Sequence, residues 1–172
     1  MTGNGSQYVA EQAWTCVSPG IASRLLDAES PTWLLPFLRL AGGEGEQAGA
    51  RVLATPDRAA ASEAGAARTR LEEVELGDRL ARAHDGTFTR PLLWQTAGFA
   101  ALFRRLEADL SAKPRASGTV LGLEGRFERP ASLDAVPNGV LAGRRAAETA
   151  ARSLLGHLRA ALEHPASEQM LA

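Results

Sequence analysis

The strongest constraint on the fold lies near the C-terminus. From about Val140 to Glu163, Leu141, Ala147, Ala151, Leu154, Leu155, Leu158 and Leu162 recur at helical spacing on one stripe. Arg144, Arg145, Glu148, Arg152 and Arg159 mostly occupy the remaining surface. This reads as one long amphipathic helix, ended by Pro165. A helix of this kind is held by burying its stripe against another element rather than by propensity alone. Small residues along it (Gly143, Ala147, Ala150, Ala151) either let its first half approach a sheet closely or leave space beneath it.

The preceding residues supply a sheet. In GTVLGLEGRFERP, residues 118–130, Leu121, Leu123 and Phe127 share one parity and Glu124, Arg126 and Glu128 the other. Residues 99–112 fit two periods. As a strand, Leu102, Leu106, Ala108 and Leu110 face one way; as a helix, Leu102, Leu106 and Leu110 form an i, i+4, i+8 stripe. The compact Pro/Gly turn KPRASG (113–118) favours the strand, paired with 119–129 as a hairpin.

The N-terminal half mixes strands and short helices. Residues 7–17 read as a strand apolar on both faces, which predicts cover on both sides and a small buried Cys16. Ser18-Pro19 and Ser30-Pro31 each start a short helix, the second ending at Pro36. AGGEGEQAGA (41–50) reads as a flexible turn without the strand–glycine–helix context of a phosphate loop, and RVLA (51–54) as a strand. Residues 55–68 read as a strand end and loop. Residues 69–76 and 78–83 read as strands, His84-Asp85-Gly86 as a turn, and Pro91 and Trp94 as interruptions of the next stretch. The order strand, helix, helix, antiparallel strands, long helix predicts an α+β domain. A mostly helical interaction protein is the alternative, if 55–67 and 94–112 are helices.

At 172 residues the chain is expected to form one domain, ordered over about 7–163 with short flexible termini. That size buries roughly 70% of the unfolded surface, enough to fold without a disulfide or metal. A net charge of −1 without a basic run argues against nucleic acid as a partner. Eighteen of the nineteen basic residues are arginine, a skew best matched by GC-rich coding. No charged n-region precedes an apolar h-region, and no apolar run approaches the ~20 residues of a membrane helix. The expectation is a cytoplasmic protein without a membrane partner; a homodimer stays open.

Several local motifs resemble the START-like superfamily (Bet v 1-like, helix-grip), nearest its bacterial polyketide cyclase/dehydrase-like branch. They are the strand leading into Ser18-Pro19 with Trp33 downstream, Ala48-Gly49-Ala50-Arg51-Val52, GAARTRLEEVELGDRL (65–80), and the hairpin around Gly118 ending in Phe127 and Pro130. The resemblance covers about 7–163. It implies a curved antiparallel sheet wrapped around the C-terminal helix, two short helices after the first strand, and an apolar cavity between sheet and helix. It implies an apolar ligand (polyketide-, aromatic- or lipid-like), in some members its cyclisation, aromatisation or dehydration, and no cofactor or metal.

In that frame Leu121, Leu123 and Phe127 are expected to point into the cavity. Trp33 and Trp94 are candidates to stack on a ring-shaped ligand, although as core or rim residues they need none. Arg104 shares the parity of Leu106 and Leu110 and is a candidate to polarise a carbonyl if it faces inward; an exposed arginine at a strand end, or on a helix, is the reading that outweighs it. His84 is a candidate acid–base group, or a solvent-facing turn residue. His157 and His164 are expected at the surface, and Glu124 on the outer sheet face. The histidines lack metal-site spacing, and no Ser/His/Asp constellation is visible. Whether the chain is an enzyme or a non-catalytic carrier turns on the lining: convergent titratable groups favour the first, an all-apolar wall the second.

Overall fold

The structure, a computed structural model, describes residues 6–28, 31–54, 70–78, 83–97 and 102–164. Strand β1 (Gln7–Thr15) leads into α1 (Pro19–Leu26), then a 3₁₀ turn (Pro31–Leu34) that runs into α2 (Leu35–Leu53). Strands β2 (Arg70–Leu76), β3 (Phe88–Ala97), β4 (Arg105–Arg115) and β5 (Gly118–Glu128) follow. A second 3₁₀ turn (Ala131–Ala135) precedes α3 (Gly139–Glu163).

The five strands form one curved antiparallel sheet in the order β1-β5-β4-β3-β2. Register places Trp94 between Val74 of β2 and Leu106 of β4, Leu106 opposite Phe127, and Leu110 opposite Leu123. These side chains line one face with Val9 and Leu92, and are buried with Leu154, Leu155 and Leu158 of α3 in a continuous core. The other parity (Tyr8, Trp14, Glu107, Asp109, Glu124, Arg126) is exposed. Helix α3 lies along β1, and α1 against β4 and β3. This is the expected helix-grip α+β architecture.

Several local expectations are corrected. AGGEGEQAGA and RVLA are neither turn nor strand; 41–53 belong to the 19-residue α2, and Ala54 is its C-cap. Pro36 opens that helix rather than ending it, because a missing N–H costs nothing in a first turn. The glycines persist in the helix because α3 packs directly on them. A Cβ at Gly45 would come within 2.5 Å of the Ala146 carbonyl oxygen, and one at Gly49 within 2.7 Å of that of Ala142. The small residues of α3 therefore allow a close approach to another helix, where the sequence suggested a sheet.

Strand β1 is covered on one face only: Trp14 and Tyr8 are 49% and 56% exposed, and Cys16, at the bend after the strand, is exposed. Pro91 does not interrupt β3. The β2 ladder ends at Leu76–Leu92, so the missing N–H of Pro91 breaks no rung, and its carbonyl accepts the Gly77 N–H at 2.9 Å. Strand β4 runs on through Pro114 to Arg115, leaving Ala116-Ser117 as the hairpin turn. Leu141, placed on the buried stripe by its spacing, is exposed. The loop expected at 55–68, most of the strand expected at 78–83, and Pro165 with the tail lie outside the described residues.

The helix seam gives opposite expectations for neighbouring glycines. Gly49→Ala forces backbone apart and is expected to destabilise by about 2 kcal/mol or more, despite better helix propensity. Gly43 has nothing within 4 Å of a built Cβ, so Gly43→Ala is expected to stabilise by about 0.5–1 kcal/mol. Urea unfolding of both variants checks this.

Candidate functional site

The inner face of β3 carries Arg90, Leu92, Trp94 and Thr96 in alternation, all buried. Trp94 is 1% exposed, and its indole Nε1–H has no acceptor among the described residues. The Phe103 ring stands edge-on to it, centroids 5.3 Å apart at 86°. Thr96 Oγ1 donates to the Phe103 carbonyl, fixing the segment that carries that ring. Trp33 enters from the 3₁₀ turn, which lies against β2 as α2 does. Its ring is half-buried, and its Nε1–H is also buried without an acceptor. The two tryptophans thus both border β2 on one flank of the molecule, Trp33 through its 3₁₀ turn and Trp94 as the register partner of Val74. A buried donor left unpaired costs about 1–3 kcal/mol.

The same flank holds a buried carboxyl. Glu46 follows Leu38, Gly42 and Gly45 on the inner stripe of α2 and is 9% exposed. Its Oε1 accepts the Leu102 backbone N–H at 2.7 Å. Leu102 seats against the glycines of both helices: a Cβ at Gly49 would meet its Cδ1 at 2.4 Å, and one at Gly143 its carbonyl oxygen at 3.0 Å. Burial pushes the Glu46 carboxyl up to about 7, against the opposing pull of the Leu102 N–H. Leu102 and Phe103 are consecutive, so Glu46 and Trp94 engage the same two-residue step of chain.

Arg90, the other buried charge among the described residues, is committed to the backbone. Its Nε donates to the Gly77 carbonyl at 3.1 Å, and Nη1 to those of Leu26 at 2.7 Å and Ala28 at 2.5 Å. Leu26 is the last residue of α1, so the guanidinium also meets the negative end of that helix.

Leu121, Leu123 and Phe127 face the interior, each at most 1% exposed and packed in the core. Arg104 is exposed just ahead of β4, its strand-end alternative, and does not face the interior. The alternation breaks at Phe103, which turns inward onto Trp94 and sends the next side chain out. His84 occupies an exposed turn, and Glu124 is on the outer face, where it accepts the Tyr8 hydroxyl. His157 is half-buried, and its Nε2 lies 3.1 Å from Glu44 Oε1 while Ser153 Oγ donates to Oε2 at 2.6 Å. The Ser153 bond, then His157, lower the Glu44 carboxyl, and both partners are spent tying α2 to α3.

An open groove of about 800 Å³ lies on the outer sheet face, lined in part by Glu75, Glu107, Asp109, Glu124 and Arg126. Among the described residues no three His, Cys, Asp or Glu side chains are grouped to hold a metal ion. No helix among them is long and apolar enough to cross a membrane.

Glu46 and Arg90 escape the sequence reading. Glu46 sits in the glycine-rich stretch read as a turn; read as a helix, its spacing from Leu38, Gly42 and Gly49 places it on the inner stripe. Arg90 shares the parity of Leu92 and Trp94, a signal hidden by treating Pro91 as a break.

Solved structures were compared with the chain. A Thermus thermophilus protein, TTHA0849, is similar at 13% identity and a TM-score of 0.43, over 91% of this chain and 97% of that one. Ara h 8.0201 is similar at 11% identity and a TM-score of 0.33, over 91% of this chain and 99% of that one. No protein-family model and no curated protein matches the chain. The helix-grip assignment rests on the strand order and the C-terminal helix themselves.

The raised Glu46 pKa has a signed consequence for stability. From its unfolded value of 4.5 to about 7, the folded chain holds this proton more tightly than the unfolded one, so stability falls as pH rises through that window. Glu46→Gln keeps the acceptor for Leu102 and removes the titration. The stability of this variant relative to wild type is expected to climb by up to about 3 kcal/mol between pH 4.5 and 8. Urea unfolding across pH checks it; a flat difference contradicts it.

Proposed function

We propose that this chain binds an apolar small molecule, polyketide-, aromatic- or lipid-like, against the inner face of the sheet on its α2 flank. Trp33, Trp94, Leu121, Leu123 and Phe127 supply the contact surface. The observation that carries the reading is the pair of buried indole N–H groups without acceptors among the described residues. A ligand carbonyl, ether or hydroxyl oxygen would satisfy such a donor, while its apolar body replaces apolar contacts. This is a carrier or binding role.

A second reading, catalysis of cyclisation, aromatisation or dehydration, is favoured by Glu46. Each of those reactions moves a proton, and a carboxyl near 7 exchanges one readily at neutral pH. Arg90 is held by backbone carbonyls, so Glu46 is the buried titratable group among the described residues left to do this. Binding is common to both readings.

Equilibrium dialysis with 2-acetylnaphthalene and 2-ethylnaphthalene separates the polar from the apolar contribution. Both are expected to bind, the ketone more tightly. Trp94→Phe is expected to weaken the ketone about five-fold, the worth of one hydrogen bond, and to leave the hydrocarbon unchanged. Binding of neither compound contradicts the proposal.

A further inference from the structure

We propose that the outer edge of β1 is a homodimer interface, at which the β1 strands of two copies pair antiparallel about Glu11 and join their sheets into one.

The two edges of the sheet are built differently. At one end, β2 carries Arg70, Glu72, Glu73 and Glu75, and its register shifts between Leu71 and Glu73. Charges and bulges guard an unpaired edge, because they spoil it as a template for another strand. At the other end, β1 is almost unguarded. It pairs with β5 over all nine residues without a shift, contains no Lys, Arg or Pro, and has Glu11 as its one charge. Among the described residues β5 is its one neighbour in the sheet, and no backbone hydrogen bond reaches its far edge. Alternate N–H and C=O groups along that edge are available to a further strand.

The occupant that fits is a second copy. The outer-face residues of β1 run Tyr8, Ala10, Gln12, Trp14, large at the ends and smaller between, and all are exposed. Tyr8 and Trp14 lie equally far from Glu11 on either side. A two-fold axis at Glu11 therefore sets Tyr8 of each copy opposite Trp14 of the other, and Ala10 opposite Gln12. Aromatic pairs across neighbouring strands are stabilising, and such an isologous contact closes at two copies. In a chain with three Trp and one Tyr, these two stay 49% and 56% exposed, an arrangement that the fold itself does not use.

The charge on the axis is already matched. Arg152 of α3 donates to both Glu11 carboxylate oxygens, Nη2 to Oε1 at 2.8 Å and Nε to Oε2 at 3.3 Å. Two such ion pairs brought together are neutral, where two bare carboxylates would repel. A strand from another protein would use the same backbone groups but would not call for this symmetry.

Sedimentation equilibrium from about 5 μM to about 1 mM reads the association, expected at a Kd of tens of micromolar for a small, transient contact. Ala10→Lys combined with Gln12→Lys sets like charges opposite each other at two places across the axis, and is expected to weaken the dimer at least ten-fold. Within one copy these exposed positions face Glu124 and Gly122 of β5, so the fold tolerates both changes. Ala10→Lys combined with Gln12→Glu makes the same cross-axis contacts attractive, and is expected to return the affinity to within three-fold of wild type. Trp14→Ser, which adds no charge, is expected to weaken association about five-fold. Wild type that stays monomeric at 1 mM, or a dimer indifferent to the paired lysines and to Trp14→Ser, overturns the proposal. Loss of the dimer in both double variants, with circular dichroism unchanged, overturns the pairing about Glu11.

Discussion

Two missing Cβ atoms organise this molecule. Gly45 and Gly49 let α2 lie against the backbone of Ala142–Ala150, closer than any larger residue permits. Each glycine costs the helix about 1 kcal/mol of propensity; the seam offsets this through the close contact of two helix surfaces. The rest of the α2 flank depends on that approach. Glu46 lies between the two glycines and is carried inward with them. Leu102 fits where Gly49 and Gly143 leave room, and its N–H finds the Glu46 carboxyl. Phe103, next along, then turns inward onto Trp94.

Among the described residues the two buried charges are handled in opposite ways. Arg90 is matched by three carbonyls and the end of a helix, and it joins α1, β2 and β3 into one unit. Glu46 receives one backbone donor and no cation, so burial dominates and its proton is held into the neutral range. The first arrangement is complete as it stands. The second keeps a proton that it can lose in the neutral range, and that contrast separates the architectural charge from the titratable one.

The sheet and the terminal helix were readable in the sequence because their periods are unambiguous. Leu121, Leu123 and Phe127 alternate cleanly, and the Pro/Gly turn before them settles strand over helix for most of 99–112. The glycine-rich stretch was not readable, because glycine signals a turn by its own propensity, and only a partner helix bearing alanines at the matching positions reverses that. Misplacing it concealed Glu46 and made Pro36 look like a stop. Arg104 points outward, as its strand-end alternative had it: parity extrapolated from Leu106 assumes regular extended chain, and Phe103 breaks it to reach Trp94. Trp33 and Trp94 were found by their scarcity in an aromatic-poor chain, but their unpartnered N–H groups are visible only in three dimensions.

Native-state amide hydrogen exchange across residues 38–53 tests the central claim most directly, since everything on this flank follows from a glycine-rich segment being helical and packed on α3. The account predicts that Gly45, Glu46 and Gly49 exchange slowly, within about an order of magnitude of Ala146 and Ala150 across the seam. Exchange at the rate of an unstructured loop over 41–50, with α3 still protected, would contradict it.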